Sequence, residues 1–388
     1  MTNVRAVIDR LKLVEALRLA GKVQPWRRAV PQFDAKDGKP LPPKLMPGVV
    51  RIDVDTWKAR LTVANFDMAI GVDVECNGTE GILYLPLTPL TAFVEKGSAS
   101  MVELTADGHS TAIVCGRTKA STWGEAQDAP PPVPAIEVDA RSVPAAIMRQ
   151  GLGAAESAAK DDNNRPWLGG IFVHDAPTGP AFAAMDANRL HAKVIEGDAF
   201  GAKAILPRAA ARMLVGMLPE EGDVGIRLDA RGASFEWGQA LFRTRLIDAQ
   251  YPAFQQALNV GTDRVLRANA DTLLADLELV ACVADSKLQE IRLELGQTCT
   301  ALASRIGTYG GQDSGQITLD ATFAGEPIAI GFQLRLVADA LHLFGENQIE
   351  WRMGGKFDPT VISSPFVPGT EAMVSPLLPA GAAQKVAA

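Results

Sequence analysis

Groups that carry out covalent or redox chemistry are scarce in this sequence. Its 388 residues hold 4 Cys and 4 His. Cys76, Cys115, Cys282 and Cys299 lie far apart with no C-x-x-C pair, which argues against a redox motif or zinc ribbon and fits reduced core thiols. His109, His174, His191 and His342 have no metal-ligand spacing with one another or with cysteine. No GxxxxGK(S/T) loop is present to cradle a triphosphate, and no GxSxG elbow to raise a serine nucleophile. No cofactor is implied. Asp186, Arg189 and His191 come nearest to an acid–base cluster, a spacing that fits a structural Asp–Arg turn at least as well.

Long apolar runs are also missing. No window approaches the ~20 apolar residues of a membrane helix. Met1–Arg10 is polar and charged, so the expectation is a soluble cytoplasmic protein without a signal peptide. Cations do not dominate either: 38 Lys and Arg stand against 45 Asp and Glu, a net charge of −7. That excludes a chain basic all over, but not a local basic face on an acidic body.

What is present is a recurring order of strands and helices. The length favours two or three domains. Val4–Val23 reads as a first helix, with Val7, Leu11 and Val14 on one face, followed by a Pro-, Lys- and Gly-rich loop over Asp34–Gly48. Strands are expected at Val49–Val54, Ala59–Ala64 and Met68–Val74. Ile82–Leu85 then leads through Pro86 to a short apolar helix. Ser142–Lys160 reads as the next helix, Trp167–Val173 and Ala181–Met185 as strands, and Ala204–Leu206 leads through Pro207 to a helix ending near Leu218. Asp271–Ala284 carries a helical stripe, Ile317–Phe323 reads as a strand, and Ile328–Gly331 precedes a last helix. Pro86, Pro207 and Gly331 hold the same place in this order, roughly 120 residues apart, which is a sensible domain length. The division read from the repeat is 1–133, 134–258 and 259–388, with a Pro-dense linker at Ala129–Pro134.

Phe242–Leu258 gives the most telling local pattern. Thr244, Leu246 and Asp248 alternate with Arg243, Arg245 and Ile247, and Tyr251-Pro252 then breaks the strand because proline cannot donate to a ladder. Together with Arg165-Pro166-Trp167-Leu168-Gly169-Gly170, Asp186-Ala187-Asn188-Arg189-Leu190 and Val374-Ser375-Pro376-Leu377, this segment resembles the bacterial sliding clamp family, the beta subunit of DNA polymerase III. The order of motifs covers Val4–Leu378. Ala187 and Asn188 replace the family's Gly-His, Gln256 replaces a basic residue, and Pro379–Ala388 extend past the usual end.

The resemblance implies an α+β fold of three repeated clamp domains, each with two helices and antiparallel sheets, forming a ring as a head-to-tail dimer. It implies a non-catalytic processivity factor that encircles double-stranded DNA without reading sequence, and binds a polymerase and a clamp loader through short hydrophobic peptides. The peptide cleft is expected at Leu168, Arg189, Leu190, Pro252 and Ala257, with Met373, Val374, Ser375, Pro376 and Leu377. Met185 and Ala187 are expected to make it more apolar, and Leu190→Asp to abolish peptide binding. DNA-facing positions are expected at Arg10, Lys12, Arg18, Arg27 and Arg28, and at Arg149, Arg165, Trp167, Arg208 and Arg212. Such cations supply sequence-independent, salt-sensitive contacts. Asp276, Glu278 and Asp285 weaken that pattern on the third unit's helix. Val283–Leu288 is expected at the dimer interface. Two other readings are a clamp-fold scaffold that does not encircle DNA and an enzyme using Asp186–His191.

Overall fold

The computed structural model describes residues 4–33, 40–107, 110–125, 129, 133, 135–201, 203–261, 263–284, 289–306 and 312–377. Among them are seven α-helices: α1 (Arg10–Ala20), α2 (Leu87–Lys96), α3 (Ala145–Glu156), α4 (Arg208–Met217), α5 (Gln255–Leu258), α6 (Ala270–Ala281) and α7 (Leu334–Leu341). All but α5 start on the residue after a strand: Arg5–Asp9, Gly81–Pro86, Arg141–Pro144, Ala204–Pro207, Arg264–Asn269 and Ile328–Gln333. The junction residues explain the sharp switch. Asp9 accepts from the backbone N–H groups of Leu11 (2.9 Å) and Lys12 (3.0 Å), and Asn269 accepts from Thr272 (3.0 Å), so side chains satisfy first-turn donors. Pro86, Pro144 and Pro207 have no N–H to leave unpaired.

The chain divides into two compact units, Met1–Ala146 with Met213–Leu246, and Ile147–Arg212 with Ile247–Ala388. The first is built on a twelve-stranded antiparallel sheet. Its seam is the 11-residue strand Met68–Gly78. One part pairs with Ala240–Thr244 (Ile70 opposite Phe242) and another with Arg5–Asp9 (Cys76 opposite Ile8), while Lys58–Ala64 runs along it as well. Strands of the first and central thirds thus share one sheet. α1 buries Leu13, Val14, Ala16, Leu17 and Ala20.

The second unit holds a nine-stranded and a four-stranded sheet. Its seam is Arg189–Val194 against Thr370–Val374, with Leu190 opposite Met373. Here the central and last thirds share a sheet. Behind it α6 and α7 bury Leu273, Leu277, Leu334, Val337 and Leu341 around Trp351. The Trp351 indole N–H donates to Thr360 Oγ1 (2.8 Å), whose hydroxyl donates to Val374 O (2.9 Å). The large apolar ring is therefore buried with its polar handle satisfied. Each fully buried Leu or Val in this core contributes about 1.5–3 kcal/mol.

Several expected elements shift. The helix expected over Val4–Val23 is instead a strand, Arg5–Asp9, followed by helix α1, because Asp9 caps α1. Part of the expected loop is a strand, Pro40–Leu45, which forms a hairpin with Ala29–Phe33 just before it, with residues 34–39 outside the described set. The helix expected at Ser142–Lys160 starts only after the strand Arg141–Pro144. Trp167 lies in a 3₁₀ turn, Pro166–Gly169, and the strand begins at Gly170. Ile317–Phe323 is broken at Leu319-Asp320. Gln312–Thr318 joins the four-stranded sheet and Ala321–Ala324 the nine-stranded one.

Candidate peptide cleft and basic helix faces

In the second unit Asp186 closes the turn between Gly179–Met185 and Arg189–Val194. Its Oδ1 accepts from the N–H groups of Asn188 (2.7 Å) and Arg189 (3.1 Å), and its own N–H donates to Arg189 O (3.0 Å). The Arg189 guanidinium donates Nε–H to Asp186 Oδ2 (3.2 Å) and pairs through Nη1 with Asp339 of α7. This is the structural Asp–Arg turn. His191 is wholly buried, with Nδ1 3.0 Å from Ser157 Oγ. Burial, aided by the nearby Arg189 charge, pushes its pKa down to about 3, so the ring is neutral and takes no part in surface acid–base chemistry.

The Tyr251-Pro252 corner folds onto an aromatic stack. Phe172 lies between His174 (centroids 4.4 Å apart) and Tyr251 (4.7 Å), and Phe254 meets both of these outer rings edge-on. Burial raises the Tyr251 phenol and lowers the His174 imidazole. Tyr251 and Phe254 belong to an apolar cluster with Ala183, Leu190, Ile205, Val361 and Met373, edged by Phe172, Trp167, Met185 and Ala257.

The ten expected cleft positions fall into a buried and an accessible set. Leu190 and Val374 are 0% exposed, and Leu168, Arg189, Met373 and Pro376 are also buried. Pro252 is exposed, while Ala257, Ser375 and Leu377 are half-buried. Strand register joins the two segments: Val374 lies opposite Arg189, and Ser375 N–H donates to Asn188 O (2.8 Å). Leu190 and Met373, in the cluster with Tyr251, can shape a groove, whereas Val374 packs in the Trp351 core; the accessible positions are those a ligand could touch. Leu190→Asp would bury a charge in the core, so it is a folding lesion before it is a binding probe. Met185 is half-buried, and Ala187 and Gln256 are exposed.

The basic positions are mostly matched by carboxylates or carbonyls. Arg10 Nε donates to Ala99 O (2.9 Å) and Nη1 to Val94 O (3.4 Å), near the C-terminal end of α2. Lys12 pairs with Glu75 (2.5 Å), Arg18 with Glu95 (2.7 Å) and Arg165 with Asp162 (2.8 Å). Arg208 and Arg212 share Glu156. Arg27 is exposed, and Arg28, Arg149 and Trp167 are half-buried. The sequence signalled none of Glu75, Glu95, Glu156 or Asp339, because each partner is 52 to 150 positions away. Nor did it signal a pocket of about 560 Å³ in the first unit, where Lys12, Glu15, Trp57, Asp73, Glu75 and Gln239 are among the lining residues.

Among the described residues no three His, Cys, Asp or Glu side chains gather as a metal site, and no helix is long and apolar enough to cross a membrane. Of the segment expected at the dimer interface, Val283 is half-buried and Ala284 buried, while residues 285–288 lie outside the described set, as does 378–388.

Residues 256–377 match the family model of the DNA polymerase III beta subunit, C-terminal domain. The chain is 28% identical over 328 residues to the beta sliding clamp of Synechococcus elongatus, covering 81% of this chain and 87% of that protein. It is 24% identical over 362 residues to that of Synechocystis sp., covering 85% and 90%. Among solved structures, the DNA polymerase sliding clamp of Pseudomonas aeruginosa superposes with a TM-score of 0.85 at 17% identity, covering 97% of this chain and 100% of that one. The C. crescentus beta sliding clamp gives 0.84 at 20%, with the same coverage. The motifs, the two shared sheets and these likenesses all point the same way: over most of its length this chain is similar to beta sliding clamps, and it has their fold.

Proposed function

We propose that the protein is a DNA sliding clamp, a non-catalytic factor that tethers a polymerase to duplex DNA. The observation that carries this reading is similarity to beta sliding clamps along 81% of the chain and 87% of the relative. The reading divides the chain into three clamp domains, 1–133, 134–258 and 259–388. Two copies join head to tail, the first domain of one to the third of the other, and such an interface makes a finite ring when it closes. Twice within the chain a sheet already runs from one third into the next, and pairing at the subunit boundary would continue that pattern while covering exposed strand edges.

Topology holds the DNA in such a ring, so individual phosphate contacts can be weak. The DNA-facing set is Arg10, Lys12, Arg18, Arg27, Arg28, Arg149, Arg165, Trp167, Arg208 and Arg212. A polymerase and a clamp loader dock through short hydrophobic peptides at the groove floored by Leu190 and Met373 and edged by Pro252, Ala257 and Leu377. The protein then works in the cytoplasm, where the chromosome is copied.

Threading tests the ring without a loader. Protein is bound to linear duplex, the ends are blocked, and retention is followed after dilution. Retention on blocked DNA with loss from free-ended DNA is the expected result. Equal loss from both would leave the non-encircling scaffold as the better reading. Light scattering at micromolar concentration should give the mass of a dimer.

A further inference from the structure

Glu156 is the last residue of α3, and Arg208 is the first of α4. Each sits at the unfavourable end of its own helix. A carboxylate meets the negative end of the α3 macrodipole, and two guanidiniums one turn apart meet the positive end of α4. The mismatches cancel against each other. Glu156 Oε1 accepts from Arg208 Nε (2.8 Å) and from Arg212 Nε (2.9 Å) and Nη2 (2.6 Å). The carboxylate is 19% exposed, whereas Arg212 is 65% exposed and stays open to a ligand. One carboxylate against two guanidiniums leaves the trio with a single net positive charge.

We propose that Glu156 tunes the grip on DNA by competing with backbone phosphates for Arg208 and Arg212. This rests on the clamp reading, in which these arginines face the duplex. A phosphate approaching Arg212 must share it with a carboxylate already in place, so each contact forms at reduced strength and breaks readily. A ring that slides needs such contacts, because tightly held phosphates would act as brakes. Lys12 with Glu75 and Arg18 with Glu95 repeat the arrangement on α1, where both cations are again held by acids distant in sequence.

Fluorescence anisotropy with a labelled 30-base-pair duplex, run across a salt series, tests this. Glu156→Gln should bind about fivefold tighter at low salt, as expected for freeing a contact of ion-pair strength. Its salt slope should steepen by about 0.9 for each additional phosphate neutralised. Arg212→Ala should weaken binding more in the Glu156→Gln background than in the wild type, since the two residues are coupled. Equal or weaker binding with an unchanged slope overturns the proposal. Should Glu156→Gln melt early, Arg212→Ala in the wild-type background decides: removing a part-time phosphate partner costs clearly less than about 0.9 of slope, and a drop of the full 0.9 overturns the proposal. Wild-type retention on end-blocked DNA separates the two failures. Without it the clamp reading falls, and with it a silent Glu156→Gln sinks only this inference.

Discussion

Arg189 and Asp339 are 150 positions apart in sequence, yet their side chains form an ion pair between a strand of the central third and helix α7 of the last. Strand Arg189–Val194 also pairs with Thr370–Val374, so backbone ladder and side-chain charge fasten the same two segments. Arg189 is only 5% exposed, and it holds Asp186, 6% exposed, with the same guanidinium.

Removing that guanidinium leaves a buried carboxylate with only backbone donors. Arg189→Met should therefore cost about 3 kcal/mol, within the range for breaking a buried pair from one side. Asp339→Asn should cost well under half of that, since Arg189 keeps Asp186 and Asp339 is partly exposed. Urea midpoints for the two variants check the order, and a larger loss from Asp339→Asn would mean the junction depends on α7 rather than on the turn.

Peptide capture should depend on the accessible edge of the groove. Leu377→Asp places a charge at a half-buried position and should weaken a labelled hydrophobic peptide at least tenfold by anisotropy, with the melting temperature changed by only a few degrees. Leu190→Asp, wholly buried, should lose binding and stability together. Full peptide affinity in Leu377→Asp would place the site elsewhere.

The sequence revealed most where a pattern repeats or a residue has special backbone chemistry. Pro86 and Pro207 mark the strand-to-helix switch because proline has no N–H to give a ladder. The third switch, at Gln333, lacks that mark, and the repeat puts it two residues early at Gly331. Asp9 is hidden because Val7, Leu11 and Val14 keep a helical spacing straight across a strand, and only the cap shows where the helix starts. Leu319-Asp320 is hidden for the opposite reason, since an apolar alternation continues across a break between two sheets. In the site, Asp186–Leu190 is legible because an Asx turn is local. The acids that hold Lys12, Arg18, Arg208 and Arg212 are not, because ion pairs between distant segments leave no spacing to read.

Acid should destabilise the protein through its histidines. His191 is held near 3 by burial and titrates near 6.5 once exposed, so between those values the unfolded chain binds the extra proton. Stability is then complete above about pH 6.5 and falls as pH drops toward 3, by about 2 kcal/mol at pH 5 from this group. His174, lowered by burial, adds in the same direction. Denaturation at pH 7 and pH 5 should show a smaller difference in His191→Phe than in the wild type. An unchanged difference would mean other groups carry the acid sensitivity.

Two glycines of α3 should respond to the same substitution with opposite signs. Glycine within a helix costs roughly 0.5–1 kcal/mol relative to alanine, because its unfolded chain has more freedom to lose. Gly153 is exposed and a Cβ there meets nothing within 4 Å, so Gly153→Ala should stabilise by about that amount. Gly151 is buried, and a Cβ there runs into the ring of Phe182, itself 0% exposed and packed edge-on against Phe200. Relief requires the ring or the helix to move, and overpacking of this kind costs about 1–3 kcal/mol, more than the helix gain returns. Gly151→Ala should therefore lower the melting temperature while Gly153→Ala raises it, in scans under one buffer. A rise in both would show that α3 can shift away from Phe182 at little cost, and the close approach of helix to sheet would then not be what fixes a glycine at position 151.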